Sequence, residues 1–182
     1  ATYLCAAASA GGDVTLRDIR PEELATVTDA LTQAGCAVER WEDSLRLRAE
    51  GPLRAIPPIR TAPYPGFPTD AQAILMAALL RARGATVFEE NIFENRYRHV
   101  DELARMGADI RTSGRVAVVT GVEHLHGAPV RCTDLRGGAA LCVAALAAEG
   151  QTEVREVQHI QRGYEDLPRD LRALGAAVYE IE

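Results

Sequence analysis

The sequence predicts an α/β domain built from three copies of one unit, and two regularities support this prediction. Glycines that end helices recur about every 70 residues, and a Leu precedes the second-helix glycine of each copy by four positions. These glycines are Gly12, Gly84 and Gly150 after the first helices, and Gly35, Gly107 and Gly175 after the second. Self-similarity at a fixed period is typical of repeated structural units.

The first copy has the order helix, strand, helix and two strands. An Ala-rich helix over residues 4–10 ends at Gly11-Gly12, and alternation over residues 13–18 predicts a strand. Pro21 is suited to open a helix that Gly35 closes. Residues 37–41 and 44–48 then form a predicted hairpin.

The same order returns twice after a proline-rich connection at residues 51–68. The second copy has a predicted strand at residues 59–61, a helix at 69–84 and a strand at 86–88. A helix ending at Gly107 and a hairpin that turns at Ser113-Gly114 follow. The third copy has a predicted strand at residues 130–132, a helix at 133–150 and a strand at 152–157. A helix ending at Gly175 and a strand over 177–181 follow. We therefore expect one domain over residues 1–182, with repeats of about 1–50, 56–122 and 128–182.

The composition narrows the classes of function. The 182-residue chain has a formal net charge of −6, which argues against a general nucleic-acid surface because such a surface is basic. All basic residues are arginine, so no lysine is present for a Schiff base or a phosphate-binding loop. No apolar run approaches the ~20 residues of a membrane helix. The four cysteines lack metal-type spacing and are predicted to be reduced thiols in a cytoplasmic protein.

The segment Pro65-Gly66-Phe67-Pro68-Thr69-Asp70 delivers a carboxylate to the start of a predicted helix. Thr69 is the predicted N-cap, with Gln72 in the capping-box position. Asp70 is then the first helical residue. Its carboxylate either complements the helix dipole or serves as a site acid or base, and the local sequence leaves both open.

Three arginines lie at equivalent ends of the repeats. Arg96 belongs to Glu94-Asn95-Arg96-Tyr97, and Arg162 to Gln161-Arg162-Gly163-Tyr164-Glu165 in the matching corner of the third repeat. Arg136 lies in Thr133-Asp134-Leu135-Arg136-Gly137-Gly138, the counterpart of Thr69-Asp70. If the three guanidiniums converge, the ligand should carry carboxylate or phosphate groups.

The histidines give no sign of a metal site. His124 and His126 alternate along a possible strand, but no third ligand has suitable spacing. His99 and His159 flank the polar corners and are expected to hydrogen-bond the backbone there. We expect neither a metal nor a cofactor.

The four motifs, together with His159-Ile160 ahead of the third corner, resemble those of the enolpyruvyl transferases along essentially the whole chain. The resemblance is greatest to the members that act on UDP-N-acetylglucosamine in peptidoglycan synthesis. It implies an inside-out α/β barrel of three repeats, with buried helices and sheets outside. It further implies two domains that close on the substrate in a monomeric enzyme.

The resemblance also implies roles for individual residues. Asp70 would contact the sugar hydroxyl that attacks phosphoenolpyruvate and would take part in proton transfer. Ile92 would offer a main-chain group to the sugar nucleotide, and Arg96 would help order the closed site. Arg136 and Arg162 would hold the carboxylate and phosphate of phosphoenolpyruvate.

The departures from the family pattern predict a fragment. The family's amino-terminal Lys-Asn segment and its second domain, whose mobile loop bears a Cys or Asp, are absent, and the chain opens at Ala1 without Met. None of the four cysteines is expected to replace the loop residue. The 182 residues alone are therefore expected not to turn over.

Two other functions stay open. A shikimate-pathway enolpyruvyl transferase would share the fold and prefer shikimate phosphate, although Thr133-Asp134-Leu135-Arg136 and the Arg162-Gly163-Tyr164-Glu165 corner disfavour it. A repeat domain that binds a partner or an anion without catalysis is the third possibility.

Overall fold

The computed structural model describes residues 1–181 as alternating helices and strands. The helices are α1 (Thr2–Ala10), α2 (Ala25–Ala34), α3 (Thr69–Ala78), α4 (Val100–Arg105), α5 (Leu135–Ala145), α6 (Gln158–Gln161) and α7 (Leu167–Ala173). The strands are β1 (Asp13–Leu16), β2 (Ala37–Arg40), β3 (Leu45–Arg48), β4 (Ile59–Arg60), β5 (Ala85–Glu89), β6 (Asp109–Ser113), β7 (Val116–Thr120), β8 (Pro129–Arg131) and β9 (Glu153–Arg155). A short 3₁₀ helix, Pro21–Leu24, precedes α2.

Each repeat contributes one sheet. The first has the order β1-β3-β2, and the second has the order β4-β5-β7-β6. In both, the second strand of the hairpin pairs antiparallel with the strand that follows the first helix, for example Val14 with Leu47 and Val87 with Val118. The third sheet contains β8 and β9, which run parallel as β4 and β5 do. The predicted order of elements is confirmed in the first two repeats.

Glycines end the second helices of the repeats where the sequence predicted, whereas α3 and α5 end before Gly84 and Gly150. Gly35, after α2, has a φ of +113°, and its N–H reaches the carbonyls of Leu31 and Thr32. Gly107 and Gly175 follow α4 and α7 and also have positive φ values, of 90° and 96°. Glycine populates this left-handed region without the penalty that a Cβ atom brings, which explains its presence at these three helix ends.

Three predicted elements differ from the structure, the first being the helix predicted over residues 133–150, which runs only from Leu135 to Ala145. The helix that begins at Thr69 ends at Ala78 rather than continuing to Gly84, and the chain turns from Leu79 onward. Residues 177–181 form no strand, because nothing in residues 1–181 pairs with them. A strand requires a hydrogen-bonded neighbour, so β-type sequence alone does not produce one.

The core lies between the first helices of the three repeats. Helices α1, α3 and α5 pack on one another, and all residues from Ala71 to Ala78 of α3 are buried. Apart from Gln72, this span is apolar on every face, because every face meets protein. Of the second helices, α4 contacts α5 and lies against β6 and β8, nearer the outside. The predicted arrangement of buried helices with sheets outside is confirmed, and no strand pairing joins the three sheets into a closed barrel within residues 1–181.

None of the helices described here is both long enough and apolar enough to cross a membrane.

Candidate functional site

The carboxylate of Asp70 lies between two arginines from different repeats. Its Oδ1 is 2.6 Å from Nη2 of Arg96, and its Oδ2 is 3.1 Å from Nη2 of Arg136. The side chain of Asp70 is 55% exposed, whereas the two guanidiniums are 21% and 29% exposed. The structure thus brings together three of the five predicted site residues around one accessible carboxylate.

The start of α3 differs from the predicted capping box. Pro68 is the N-cap and supplies no side-chain hydrogen bond. The hydroxyl of Thr69 instead donates to Oε2 of Glu90 at 2.8 Å. Gln72 is fully buried, and its Nε2 lies 3.4 Å from the hydroxyl of Tyr97. The local signal was wrong because tertiary partners take both side chains, and Asp70 consequently lies in the first turn of the helix.

Arg96 lies in the turn between β5 and α4. Asn95, directly before it, has a φ of +50°, a left-handed conformation that asparagine tolerates better than most residues. The guanidinium carbon of Arg96 is 5.0 Å from the ring centroid of Phe93, in cation–π contact. This packing and the pair with Asp70 together fix the position of the Arg96 head group.

Arg136 occupies the first turn of α5, whose N-cap is Asp134. The carboxylate of Asp134 accepts the N–H groups of Arg136 and Gly137 at 2.9 and 2.8 Å. Burial by itself raises the pKa of Asp134, but these hydrogen bonds outweigh it and leave the pKa below the usual 3.8. Asp70 and Arg136 also line a cleft of about 330 Å³ with Ile74 and Tyr164.

Arg162 follows α6 in the corner that packs against the start of α5. A Cβ atom at Gly163 would lie 2.6 Å from Cδ2 of Leu135, so a side chain there would require the Leu135 side chain to move. Nη2 of Arg162 is 3.4 Å from Nδ1 of His159. The structure gives Arg162 no ion pair with a carboxylate of residues 1–181, and it does not join Arg162 to Asp70.

The glycines of α5 are required by packing within the protein. A Cβ atom at Gly138 would lie 2.8 Å from Cγ1 of Ile160 and 2.9 Å from Sγ of Cys132. One at Gly137 would lie 3.1 Å from Cβ of His99. The close approach of the neighbouring segments therefore explains both small residues.

Ile92 lies in the loop after β5, beside the buried carboxylate of Glu90. Oε1 of Glu90 accepts the N–H groups of Ile92 and Phe93 at 2.7 and 2.9 Å. The N–H group of Ile92 is therefore occupied within the protein. Its carbonyl accepts no hydrogen bond from the described residues and is the main-chain group left for a ligand.

The expectation that His99 and His159 hydrogen-bond the backbone is not met at His159, whose Nδ1 contacts only the Arg162 side chain in the described part of the chain. His99 is fully buried, and neither ring nitrogen has a hydrogen-bond partner of good geometry among residues 1–181, although the ring lies beside the backbone of Arg96. Burial lowers the pKa of His99 to about 4. Nδ1 of His124 is 2.6 Å from Oε1 of Glu149. The described residues contain no group of three or more His, Cys, Asp or Glu side chains that could hold a metal ion.

The sequence interpretation missed the roles of Glu90 and Asp134. Asp134 carried a usable signal, because an aspartate before a Gly-rich helical segment is a common N-cap. Glu90 carried none, since its four donors come from residues up to 29 positions away. Only the fold brings those donors to one carboxylate.

Comparison with known proteins agrees with this architecture. The family model described as EPSP synthase (3-phosphoshikimate 1-carboxyvinyltransferase) matches residues 1–171. The UDP-N-acetylglucosamine 1-carboxyvinyltransferase of Desulfofundulus thermocisternus is 53% identical over 178 residues, which are 98% of this chain and 73% of the relative. That of Zymomonas mobilis is 51% identical over 180 residues, or 99% of this chain and 42% of the relative. UDP-N-acetylglucosamine 1-carboxyvinyltransferase 3 of Caldanaerobacter subterraneus is 49% identical over 180 residues, with 99% and 43% covered.

Solved structures show the same likeness. The enolpyruvyl transferase NikO from Streptomyces tendae matches with a TM-score of 0.87 at 30% identity, covering 98% of this chain and 42% of that one. EPSP synthase from Acinetobacter baumannii matches with a TM-score of 0.77 at 19% identity, covering 100% and 46%, which is a likeness of fold alone. The chain spans less than half the length of several of these relatives. Its motifs, its three-repeat fold and these matches place it in one family: the chain belongs to the EPSP synthase family of enolpyruvyl transferases.

Proposed function

We propose that the chain is one domain of a transferase that moves the enolpyruvyl group from phosphoenolpyruvate to the 3-hydroxyl of UDP-N-acetylglucosamine, in peptidoglycan synthesis. The observation that carries the proposal is the exposed carboxylate of Asp70 between the guanidiniums of Arg96 and Arg136. The relatives that are about 50% identical along the whole chain are UDP-N-acetylglucosamine 1-carboxyvinyltransferases, which supports this acceptor.

The proposed reaction is an addition followed by an elimination. In the addition, the sugar oxygen bonds to C2 of phosphoenolpyruvate, its proton goes to a base, and C3 gains a proton. In the elimination, the C–O bond to phosphate breaks and C3 loses a proton, which restores the double bond and releases inorganic phosphate. Asp70 would orient the attacking hydroxyl and take part in proton transfer, because its carboxylate is accessible at the start of α3.

The arginines would hold the anionic substrate. Arg136 and Arg162 are assigned to the carboxylate and phosphate of phosphoenolpyruvate, and Arg96 to the ordering of the closed site. Each contact with Asp70 uses a single terminal nitrogen of the guanidinium, so neither Arg96 nor Arg136 is consumed by a two-pronged pair. Preorganised positive charge of this kind stabilises the tetrahedral intermediate. The carbonyl of Ile92 would face the sugar nucleotide.

The enzyme that we propose is longer than these 182 residues. Residues 1–182 would form one three-repeat domain, and a second, loop-bearing domain would close on it within a monomer. The four cysteines are free thiols, which suits the cytoplasmic location we propose. No metal or cofactor has a part in the proposed reaction.

The intact mass of the native gene product tests this organisation. A polypeptide more than twice 19.6 kDa that releases phosphate from phosphoenolpyruvate and UDP-N-acetylglucosamine is the expected result. A native product near 19.6 kDa would instead favour a binding role without catalysis. Phosphate release by the isolated 182 residues would contradict the need for a second domain.

Ligand binding distinguishes UDP-N-acetylglucosamine from a second candidate acceptor substrate. The family model is described by its shikimate-pathway member, so shikimate 3-phosphate is the second candidate. We expect amide resonances near Asp70 and Ile92 in the native gene product to shift with UDP-N-acetylglucosamine and not with shikimate 3-phosphate.

Arg136→Gln should weaken phosphoenolpyruvate binding. Arg46→Gln, which removes an exposed arginine paired with Asp13 in the first sheet, serves as the matched control.

A further inference from the structure

A second carboxylate lies behind the candidate site, and the roles assigned above do not use it. Glu90 follows β5 directly and is 1% exposed. Its Oε1 accepts the N–H groups of Ile92 and Phe93, at 2.7 and 2.9 Å, and the hydroxyl of Thr61 at 2.9 Å. Its Oε2 accepts the hydroxyl of Thr69 at 2.8 Å. Four donors therefore surround one buried side chain.

The donors have no positive charge among them. Within residues 1–181, Glu90 forms no ion pair, although this segment is rich in arginine. Burial by itself raises the pKa of Glu90, but the hydrogen bonds from Phe93, Thr69, Ile92 and Thr61 outweigh burial and leave the pKa below its usual range. The side chain is thus ionised at neutral pH. A buried charge held only by neutral donors depends on the geometry of each donor.

The donors join two parts of the proposed substrate site. Ile92 and Phe93 belong to the loop after β5, and Thr69 is the residue before Asp70. The hydroxyl of Thr61, which donates to Glu90, also accepts the N–H of Asn91 at 2.8 Å, so the loop is held at a further point. A displacement of Glu90 would move the loop and the start of α3 relative to each other.

A second set of contacts leads from the loop back to Asp70. The N–H of Phe93 is held by Glu90, and the Phe93 ring lies under the guanidinium of Arg96. Arg96 in turn contacts Oδ1 of Asp70 at 2.6 Å. Glu90 therefore reaches Asp70 through Thr69 on one side and through Phe93 and Arg96 on the other.

We propose that Glu90 is a positioning residue, which fixes the Ile92 carbonyl and the Asp70 carboxylate at the spacing required by the sugar nucleotide. This inference rests on the proposed function, because it assigns both groups to the same ligand. Glu90 is too deeply buried to touch a substrate and acts through the residues it holds.

The test uses steady-state kinetics of the native gene product and three variants. Glu90→Ala removes all four acceptor contacts and should raise KM for UDP-N-acetylglucosamine about tenfold or more, since hydrogen bonds to a buried charge are among the stronger ones. KM for phosphoenolpyruvate should stay within about twofold, because the donors of Glu90 do not include Arg136 or Arg162. Glu90→Gln keeps an acceptor oxygen for Ile92 and Phe93 and should restore most of the affinity.

The neighbouring carboxylate provides the matched control. Glu89 lies one residue earlier and pairs with Arg60 at 2.8 Å on the surface, so Glu89→Gln should leave both KM values unchanged. A Glu90→Ala protein that folds with an unchanged KM for the sugar nucleotide would overturn the inference. Equal rises in both KM values would overturn it as well, because general damage to the fold predicts that result. If Glu90→Ala does not fold, the amide shifts of Glu90→Gln, compared with those of Glu89→Gln, decide instead.

A second measurement separates this inference from the proposed function. In ¹⁵N spectra of the full chain without substrate, Glu90→Gln should shift the amide resonances of Ile92, Phe93 and Asp70 together. A shift confined to the loop would overturn the positioning role even in a protein that catalyses the proposed transfer. Absence of transfer by the wild type, with all three amides shifted, would refute the proposed function and leave intact only the link from Glu90 to the loop and to Asp70.

Discussion

The starts of α3 and α5 carry the same Thr-Asp pair and use it in opposite ways. At α5, Asp134 is the N-cap and accepts two backbone N–H groups of the first turn. At α3, Asp70 lies inside the helix, accepts no N–H of its own helix, and contacts two arginines instead. One carboxylate stabilises a helix, and the other is available for chemistry.

The difference arises from where each helix begins. Pro68 takes the N-cap position of α3 with a φ of −72°, so the helix starts two residues earlier relative to the Thr-Asp pair than α5 does. The hydroxyl of Thr69 is held by Glu90, while the hydroxyl of Thr133 lies 3.2 Å from Oδ2 of Asp134. A shift in helix register thus converts a structural aspartate into an exposed one.

The largest expected effect is on catalysis at Asp70. Asp70→Asn in the native gene product should lower the rate of the proposed transfer about 100-fold or more, because an amide does not accept the hydroxyl proton. The assay is phosphate release at saturating substrates. Asp13→Asn, which alters an exposed aspartate paired with Arg46, should retain full activity. Near-normal turnover of Asp70→Asn would mean that Asp70 is not the base.

The next effect is on stability at Asp134. Asp134→Ala leaves the N–H groups of Arg136 and Gly137 without their acceptor and should cost about 1–2 kcal/mol. For a chain of this size we expect the Tm to fall by about 2–8 °C in thermal unfolding. Asp134→Asn, which keeps an acceptor oxygen, should lose less. An unchanged Tm in Asp134→Ala would show that the cap contributes nothing.

The start of α5 should also respond to acid. The folded-state pKa of Asp134 lies below its usual 3.8, so its stabilising contribution is complete above that value and is lost as the pH falls through the folded pKa. Asp134→Asn should remove this part of the acid dependence. Urea titrations at pH 3–5 of both proteins measure the difference.

The buried ring of His99 predicts a second pH dependence of stability, of about 2 kcal/mol between pH 7 and pH 5. It packs against Gly137, and burial lowers its pKa from 6.5 to about 4. Since the unfolded chain binds the proton first, stability should fall as the pH drops from 6.5 towards 4. His99→Leu should flatten this dependence in urea unfolding. His124→Gln, at a largely exposed histidine, should leave it unchanged.

Local chemistry explains what the sequence predicted. Helix ends came from glycines that take positive φ, and the hairpin at Ser113-Gly114 came from its turn residues, since both signals act within a few positions. The capping box at Thr69 failed because Glu90, 21 residues away, competes for the hydroxyl. The strand prediction for residues 177–181 failed because strand pairing depends on a neighbour in space.

The same distinction between local and tertiary signals applies to the residues of the candidate site. Motif resemblance identified Asp70, Arg96 and Arg136, which the structure brings together, but it gave no sign that Asp134 and Glu90 are the carboxylates that hold the surrounding backbone. Glu90 is recognised by donors that only the fold assembles, whereas the donors of Asp134 lie two and three residues along the chain. A residue that contacts a ligand can be recognised from its type within a sequence motif. A residue that positions it is recognised from its hydrogen-bond partners in the structure.

The smallest expected effect completes the comparison of the two helix starts. Asp70→Ala should change the free energy of unfolding by no more than about 0.5 kcal/mol, because its ion pairs are exposed and it caps no N–H group. The loss of a favourable charge near the α3 dipole is small at such exposure. Urea unfolding in parallel with Asp134→Ala measures the contrast directly. A loss of 1 kcal/mol or more would make Asp70 as structural as Asp134, and its exposed carboxylate would then cease to distinguish the two helix starts.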